Sequence, residues 1–108
     1  MFEPKWELRI SNERYDIWDC KIGDFTVSIT HLNPGQGTRG HNHLYPELYI
    51  PLKGEAEMLI NKAYVSLNPL GSNQGRLRFY EIRPDIFHQV ISNTEESTDF
   101  LCVFRKED

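Results

Sequence analysis

Short segments rich in β-branched and aromatic residues recur roughly every ten residues, each closed by Gly, Pro, Asn or Ser, and this rhythm constrains the fold more than any other feature. The segments are 15–22 (YDIWDCKI), 25–32 (FTVSITHL), 47–52 (ELYIPL), 56–60 (AEMLI), 63–67 (AYVSL), 77–82 (LRFYEI), 88–92 (HQVIS) and 100–104 (FLCVF). Tyr, Ile, Val, Phe and Thr suit a pleated, half-buried surface. Between them lie KIGDF, NPGQG, LKGEA, NPLGSNQG, IRPDI and SNTEES, which carry turn chemistry. No 3.6-residue apolar period is sustained, so the pattern predicts an all-β antiparallel sandwich or barrel. In 25–32, Phe25, Val27 and Ile29 project one way and Thr26, Ser28 and Thr30 the other, which predicts one buried face. The first ten residues, with Pro4 ahead of KWELRI, fit a short helix or an edge strand. The loop 68–75 fits either a lid or a long hairpin connection.

A chain of 108 residues predicts one domain, with 1–14 as an N-terminal edge segment and 15–104 as the barrel. Two Trp, five Tyr and six Phe supply the bulk for a core. The net charge of −4 is spread along the chain without a basic block, so nucleic acid and anionic membrane are not expected partners. No apolar run approaches the ~20 residues of a membrane span. The N-terminus MFEPKWELRI lacks the apolar stretch of a secretory signal, and a cytoplasmic chain is expected. Cys20 and Cys102 have no CxxC spacing and read as small buried side chains, with a disulfide between them left open.

The stretch Gly35–Gly54, GQGTRGHNHLYPELYIPLKG, carries the chemistry. His41 and His43, two apart on an extended segment, project from one face, and Glu47 keeps that parity. Pro46 cannot donate a ladder hydrogen bond, so a bulge or edge there would re-aim Glu47. A mononuclear metal site needs at least three protein ligands, with positions left open for catalysis. His88, following the Pro84 turn at the head of an apolar strand, is the natural fourth ligand from a neighbouring strand. The expected cofactor is one divalent transition metal, since imidazole and carboxylate accept iron, manganese, nickel, cobalt or zinc. Gly40 lets the backbone pass close to a bound group, and Thr38, Arg39 and Gly40 beside the first ligand are candidate substrate contacts, suited to a phosphate. His31 reads as an ordinary surface or core histidine.

These residues resemble the cupin pattern. Its first motif is a Gly, five residues, His-x-His, three or four residues, Glu, six residues and Gly, and Gly35, His41, His43, Glu47 and Gly54 fill each fixed place. Pro84, His88 and Asn93 resemble the second motif, with Asp85 and Ile86 where a turn glycine is usual. The resemblance implies a small jelly-roll barrel, the double-stranded β-helix, with metal inside its mouth and commonly a homodimer. TRGHNHLYPELYIPLKGEAEML and FYEIRPDIFHQVISNTEESTDFLCVF are also similar, more weakly, to the archaeal cupin-type phosphoglucose isomerases.

Three functions are open at this point. One is a metal-dependent isomerase or epimerase acting on a sugar or sugar phosphate through an enediolate, with Glu47 as base and Tyr80 protonating or orienting an oxygen. The second is a mononuclear non-haem iron dioxygenase. The third is a non-catalytic module that binds or senses a small polar molecule.

Overall fold

The computed structural model describes residues 3–69 and 79–105, and within them the turn-bounded segments become nine strands without a helix. They are β1 (Glu7–Ser11), β2 (Tyr15–Ile22), β3 (Phe25–Leu32), β4 (Glu47–Lys53), β5 (Ala56–Ile60), β6 (Ala63–Leu67), β7 (Tyr80–Ile82), β8 (His88–Ile91) and β9 (Thr98–Phe104). The N-terminal segment is thus an edge strand, not a helix. Of the predicted strand 77–82, residues 80–82 form β7 and 77–78 lie outside the described residues, as does most of the loop 68–75. None of the described helices is long and apolar enough to cross a membrane, since there are none.

Two antiparallel sheets face each other. The larger has six strands in the order β1-β2-β3-β9-β4-β7, and the smaller has three in the order β6-β5-β8. Between them lies a core containing Leu32, Tyr49, Met58, Leu67, Ile82, Val90 and Phe100. Tyr80 ties the layers together: it lies opposite Tyr49 on the large sheet, and its hydroxyl donates to the Ser66 carbonyl of β6 at 2.6 Å.

The face of β3 that is buried is the polar one. Ser28 and Thr30 are 1% and 4% exposed, whereas Phe25 is 50% exposed. Cross-strand register explains this inversion. Ser28 lies opposite Cys102, which lies opposite Tyr49, so this row faces the interior. Thr30, Phe100 and Pro51 form the next interior row. The apolar alternates therefore lie on the opposite face: Leu8, Trp18, Ile29, Leu101 and Ile50 run across five strands, and Val27, Val103 and Leu48 run beside them, with Cys20 covered at the end of that row. Hydrophobicity alone would assign that face inward; the interior instead accepts hydroxyls because it surrounds a cavity and satisfies them. Ser28 Oγ donates to Asp19 Oδ1 at 2.6 Å, and no buried side-chain nitrogen or oxygen among the described residues lacks a partner.

Backbone geometry at the turns follows the motif glycines. Gly54 has φ +81°, and a Cβ there would stand 2.2 Å from the Ser97 carbonyl oxygen, so the position excludes side chains twice over. Asp85, where the motif usually has glycine, itself adopts φ +62°. Asp is one of the few residues that tolerates this region. Its N–H donates to the His43 carbonyl at 2.6 Å, and its carboxylate accepts from Asn42 Nδ2 at 2.8 Å. The turn after Pro84 is thereby fastened to the histidine segment.

Candidate metal centre

His41, His43, Glu47 and His88 come together, with one potential ligand atom from each and all four atoms within 4.8 Å of one another. They do not meet through the parity of one strand. His41 lies opposite His88 in an isolated antiparallel bridge, with N–H to carbonyl bonds of 3.1 and 3.0 Å in the two directions. Residues 37–41 thus run along β8, where the Thr38 N–H donates to the Val90 carbonyl at 2.8 Å. The chain then leaves the small sheet, carries His43 through a non-strand segment, passes Pro46 and enters the large sheet at Glu47. Convergence therefore comes from a crossover between sheets, with ligands from both layers.

Each imidazole is held by its other nitrogen. His41 Nδ1 faces the Arg39 carbonyl at 3.1 Å, His43 Nδ1 the Tyr45 carbonyl at 2.8 Å, and His88 Nδ1 the Ile86 carbonyl at 2.8 Å. A carbonyl only accepts, so each Nδ1 carries a hydrogen, and in the neutral ring each Nε2 presents a lone pair. All three Nε2 atoms face Glu47 Oε1: His88 at 2.9 Å, His41 at 3.7 Å and His43 in closest contact. Three imidazole lone pairs and a carboxylate aimed at one point repel each other unless a proton or cation lies among them. The donor set therefore fits a divalent transition metal, with backbone carbonyls fixing the ring orientations.

Burial grades the cluster. The side chains of His88 and Glu47 are 1% and 6% exposed, while that of His41 is 47% exposed and forms the open side. Burial opposes the charge of Glu47, but the facing imidazoles of His41 and His88 and the thiol of Cys102 prevail and hold its carboxyl well below the usual range. The nearby Glu47 carboxylate reciprocally raises His41 above its ordinary 6.5. Cys102, a free thiol, donates to Glu47 Oε2; burial and the charge of Glu47 push it far above the ordinary thiol range. His43 stacks on Tyr45, with centroids 4.0 Å apart and planes within 5°.

His41 and Glu47 form part of the wall of a cavity of about 300 Å³. Thr38 and Arg39 line it as well, together with residues that the sequence pattern did not single out: Arg9, Ser28, Tyr45, Tyr49 and Cys102. Ser28 and Cys102 reach the cavity through cross-strand register with Tyr49, which leaves no local signal in the sequence, and Arg9 left none either. Gly40 has a different neighbour from the one expected. A Cβ there would lie 2.3 Å from Phe87 Cζ, so its smallness admits the Phe87 ring, and Gly40 is not among the cavity-lining residues. Tyr80 does not line the cavity either. His31 sits on the outer face beside Asp99, with Nδ1 2.5 Å from Oδ1.

No family model matches the sequence, and no curated protein matches it. Solved structures match over nearly the whole chain. AerE from Microcystis aeruginosa superposes with a TM-score of 0.79 at 15% identity, covering 97% of this chain and 47% of that one. This chain thus spans about half the length of AerE. The Rru_A2000 protein of Rhodospirillum rubrum, described as a cupin-2 domain, gives 0.76 at 16% identity, with coverages of 96% and 70%. A cupin 2 conserved barrel domain protein from Salinispora arenicola gives 0.68 at 18%, with coverages of 95% and 76%. These likenesses, joined to the two facing sheets and the ligand cluster between them, establish the fold: the chain is a cupin-type jelly-roll barrel with a candidate metal centre.

Proposed function

We propose that the chain binds one divalent transition metal through His41, His43, Glu47 and His88 and works as a metal-dependent isomerase or epimerase on a sugar or sugar phosphate. The observation that carries this reading is the locked imidazole set at the wall of a cavity of about 300 Å³, a size suited to a small ligand. A bound divalent ion supplies Lewis-acid polarisation of a carbonyl and its neighbouring hydroxyl. Glu47, held ionised, is the one carboxylate among the described residues lining the cavity, and it serves as the base for the proton between those carbons. Burial raises Tyr45 and Tyr49, so both stay protonated and donate to substrate oxygens. This is the task expected of Tyr80, whose hydroxyl is engaged by Ser66. Arg39 and Thr38 hold the phosphate end.

The test is solvent exchange. Metal-loaded protein in deuterated water should exchange the proton beside the carbonyl of a triose or hexose phosphate, and Arg39→Ala should weaken the phosphate ester more than the free sugar. Oxygen consumption with iron, absent with zinc, would replace this reading with the dioxygenase. Tight binding without exchange would replace it with the sensor.

The apolar outer face supports pairing with a second copy. Its rows span five and four strands, on the order of 400 Å² as a flat area at ordinary strand spacing. Side-chain relief and the adjoining row of Asp16, His31, Asp99 and Lys53, which carries both charge signs, bring it towards the roughly 800 Å² per partner of a stable interface. Light scattering should give twice the chain mass, and Ile29→Glu should halve it with the metal retained; a monomeric wild type rejects the pairing. The two buried free thiols suit a reducing compartment, in keeping with a cytoplasmic site of action.

A further inference from the structure

Arg9 enters the cavity from a direction the metal motif does not account for. Leu8 pairs with Trp18 on the outer face and Ile10 with Ile17 on the inner face, so Arg9 is the extra residue of a β-bulge in edge strand β1. Its Nε lies 2.8 Å from Asp19 Oδ2 in an ion pair, and the other oxygen of Asp19 accepts from Ser28 at 2.6 Å. The guanidinium is thereby oriented through its Nε edge. Arg9 forms an ion pair with no other residue among those described.

Arg9 lines the same cavity as His41 and Glu47, and its positive charge is felt at Tyr45 and Cys102, the neighbours of the metal cluster. Arg39 lines the cavity too and forms no ion pair among the described residues. Two guanidiniums thus accompany one carboxylate around the cavity, in a chain whose net charge is −4. A guanidinium at a cavity wall attracts small anions. Guanidinium nitrogens presented side by side match the paired oxygens of a carboxylate or phosphoryl group.

We infer that Arg9, tethered by Asp19 and acting with Arg39, is the anchor for an anionic oxygen group of the ligand, whose opposite end reaches the wall formed by His41 and Glu47. The ligand is then a small carboxylate or phosphoryl compound with oxygen donors at its far end. This rests on the metal-centre reading for its second half but not for its first, because the anion anchor is built from arginines alone. The bulge in β1 is a specificity device: a regular strand would pair Leu8, Arg9 and Ile10 in unbroken register and would not turn both Leu8 outward and Ile10 inward.

The test follows the arginine Nε–Hε resonances by NMR in metal-free and zinc-loaded protein, with the Arg9 signal identified by its loss in Arg9→Lys. Three probes are titrated: inorganic phosphate, glycolate, and ethylene glycol as the neutral counterpart of glycolate. Phosphate or glycolate should move the Arg9 signal in both forms, ethylene glycol should not, and Arg9→Ala should weaken anion binding about tenfold or more with zinc stoichiometry unchanged. Glycolate binding tighter than phosphate assigns a carboxylate, and the reverse assigns a phosphoryl group. An Arg9 signal that ignores both anions, or equal responses to glycolate and ethylene glycol, overturns the inference. If Arg9→Ala does not fold, Arg9→Gln carries the same comparison. Failure of the wild type to take up zinc would count against the metal centre and leave the metal-free arm to decide the role of Arg9.

Discussion

Replacing His88 with alanine separates metal binding from folding. His88 is 1% exposed, and its Nε2 lies 2.9 Å from Glu47 Oε1. Structural zinc sites bind with about 10–16 kcal/mol, so one ligand of four carries about 3 kcal/mol, or about two orders of magnitude in Kd. The same substitution removes buried volume and one partner of Glu47, costing the metal-free protein about 2–4 kcal/mol. Absolute stability would mix these effects, so the quantity to measure is the rise in Tm on adding zinc. At a zinc concentration about 100 times the wild-type Kd, binding stabilises the wild type by about 2.7 kcal/mol, whereas a Kd raised about 100-fold leaves about 0.4 kcal/mol. For a domain of this size the wild type should gain about 10 °C and His88→Ala about 1–2 °C. His31→Ala, on the outer face beside Asp99, should gain as much as wild type. A zinc-induced rise in His88→Ala equal to that of wild type would refute the four-ligand site; loss of the rise in His31→Ala would show that the wrong histidine had been assigned.

Protons compete with metal at the cluster. Because the neighbouring Glu47 carboxylate raises His41 above 6.5, proton and metal compete for the same nitrogen, and calorimetry in buffers of different ionisation enthalpy should record more proton release on zinc uptake as pH falls through that window. Zinc affinity should accordingly climb as pH rises through that window, while in metal-free protein the His41–Glu47 contribution to stability is full below about 6.5 and is lost as pH rises through the elevated value; pH-independent affinity would reject the coupling. Cys102→Val leaves Glu47 Oε2 without its thiol donor and should cost about 1–3 kcal/mol in urea unfolding, with Cys102→Ser retaining more stability than Val despite being the more polar residue. Gly54→Ala places a Cβ 2.2 Å from the Ser97 carbonyl at positive φ and should destabilise by more than about 1 kcal/mol; an unchanged denaturation midpoint would show that the turn relaxes freely.

Local chemistry made much of this protein legible. The β-branched runs and their Gly, Pro and Asn boundaries gave strand limits at 15–22, 25–32, 56–60 and 63–67 that coincide with β2, β3, β5 and β6. The spacing of His41, His43 and Glu47, with His88 at a distant strand, singled out the four residues whose ligand atoms converge. These features are written in neighbouring residues: turn propensity is a property of a few positions, and imidazole and carboxylate declare their chemistry wherever they stand.

What depended on pairing between distant strands was not legible. Ser28 and Thr30 face inward because β3 registers with β9 and β9 with β4, and a one-residue slip would have turned Phe25, Val27 and Ile29 there instead. Asp85 can replace the usual glycine because it tolerates positive φ, and its contacts with Asn42 and His43 tie the two motifs together. Tyr80 sits in a suggestive segment yet spends its hydroxyl on Ser66, while Arg9, which no motif marks, is carried to the cavity by a bulge. Local residues were enough to mark most strands and turns and the four side chains of the candidate metal centre. The tertiary structure decided which face of each strand looks inward and which side chains share the cavity with that set, because register is a relation between segments far apart in the chain.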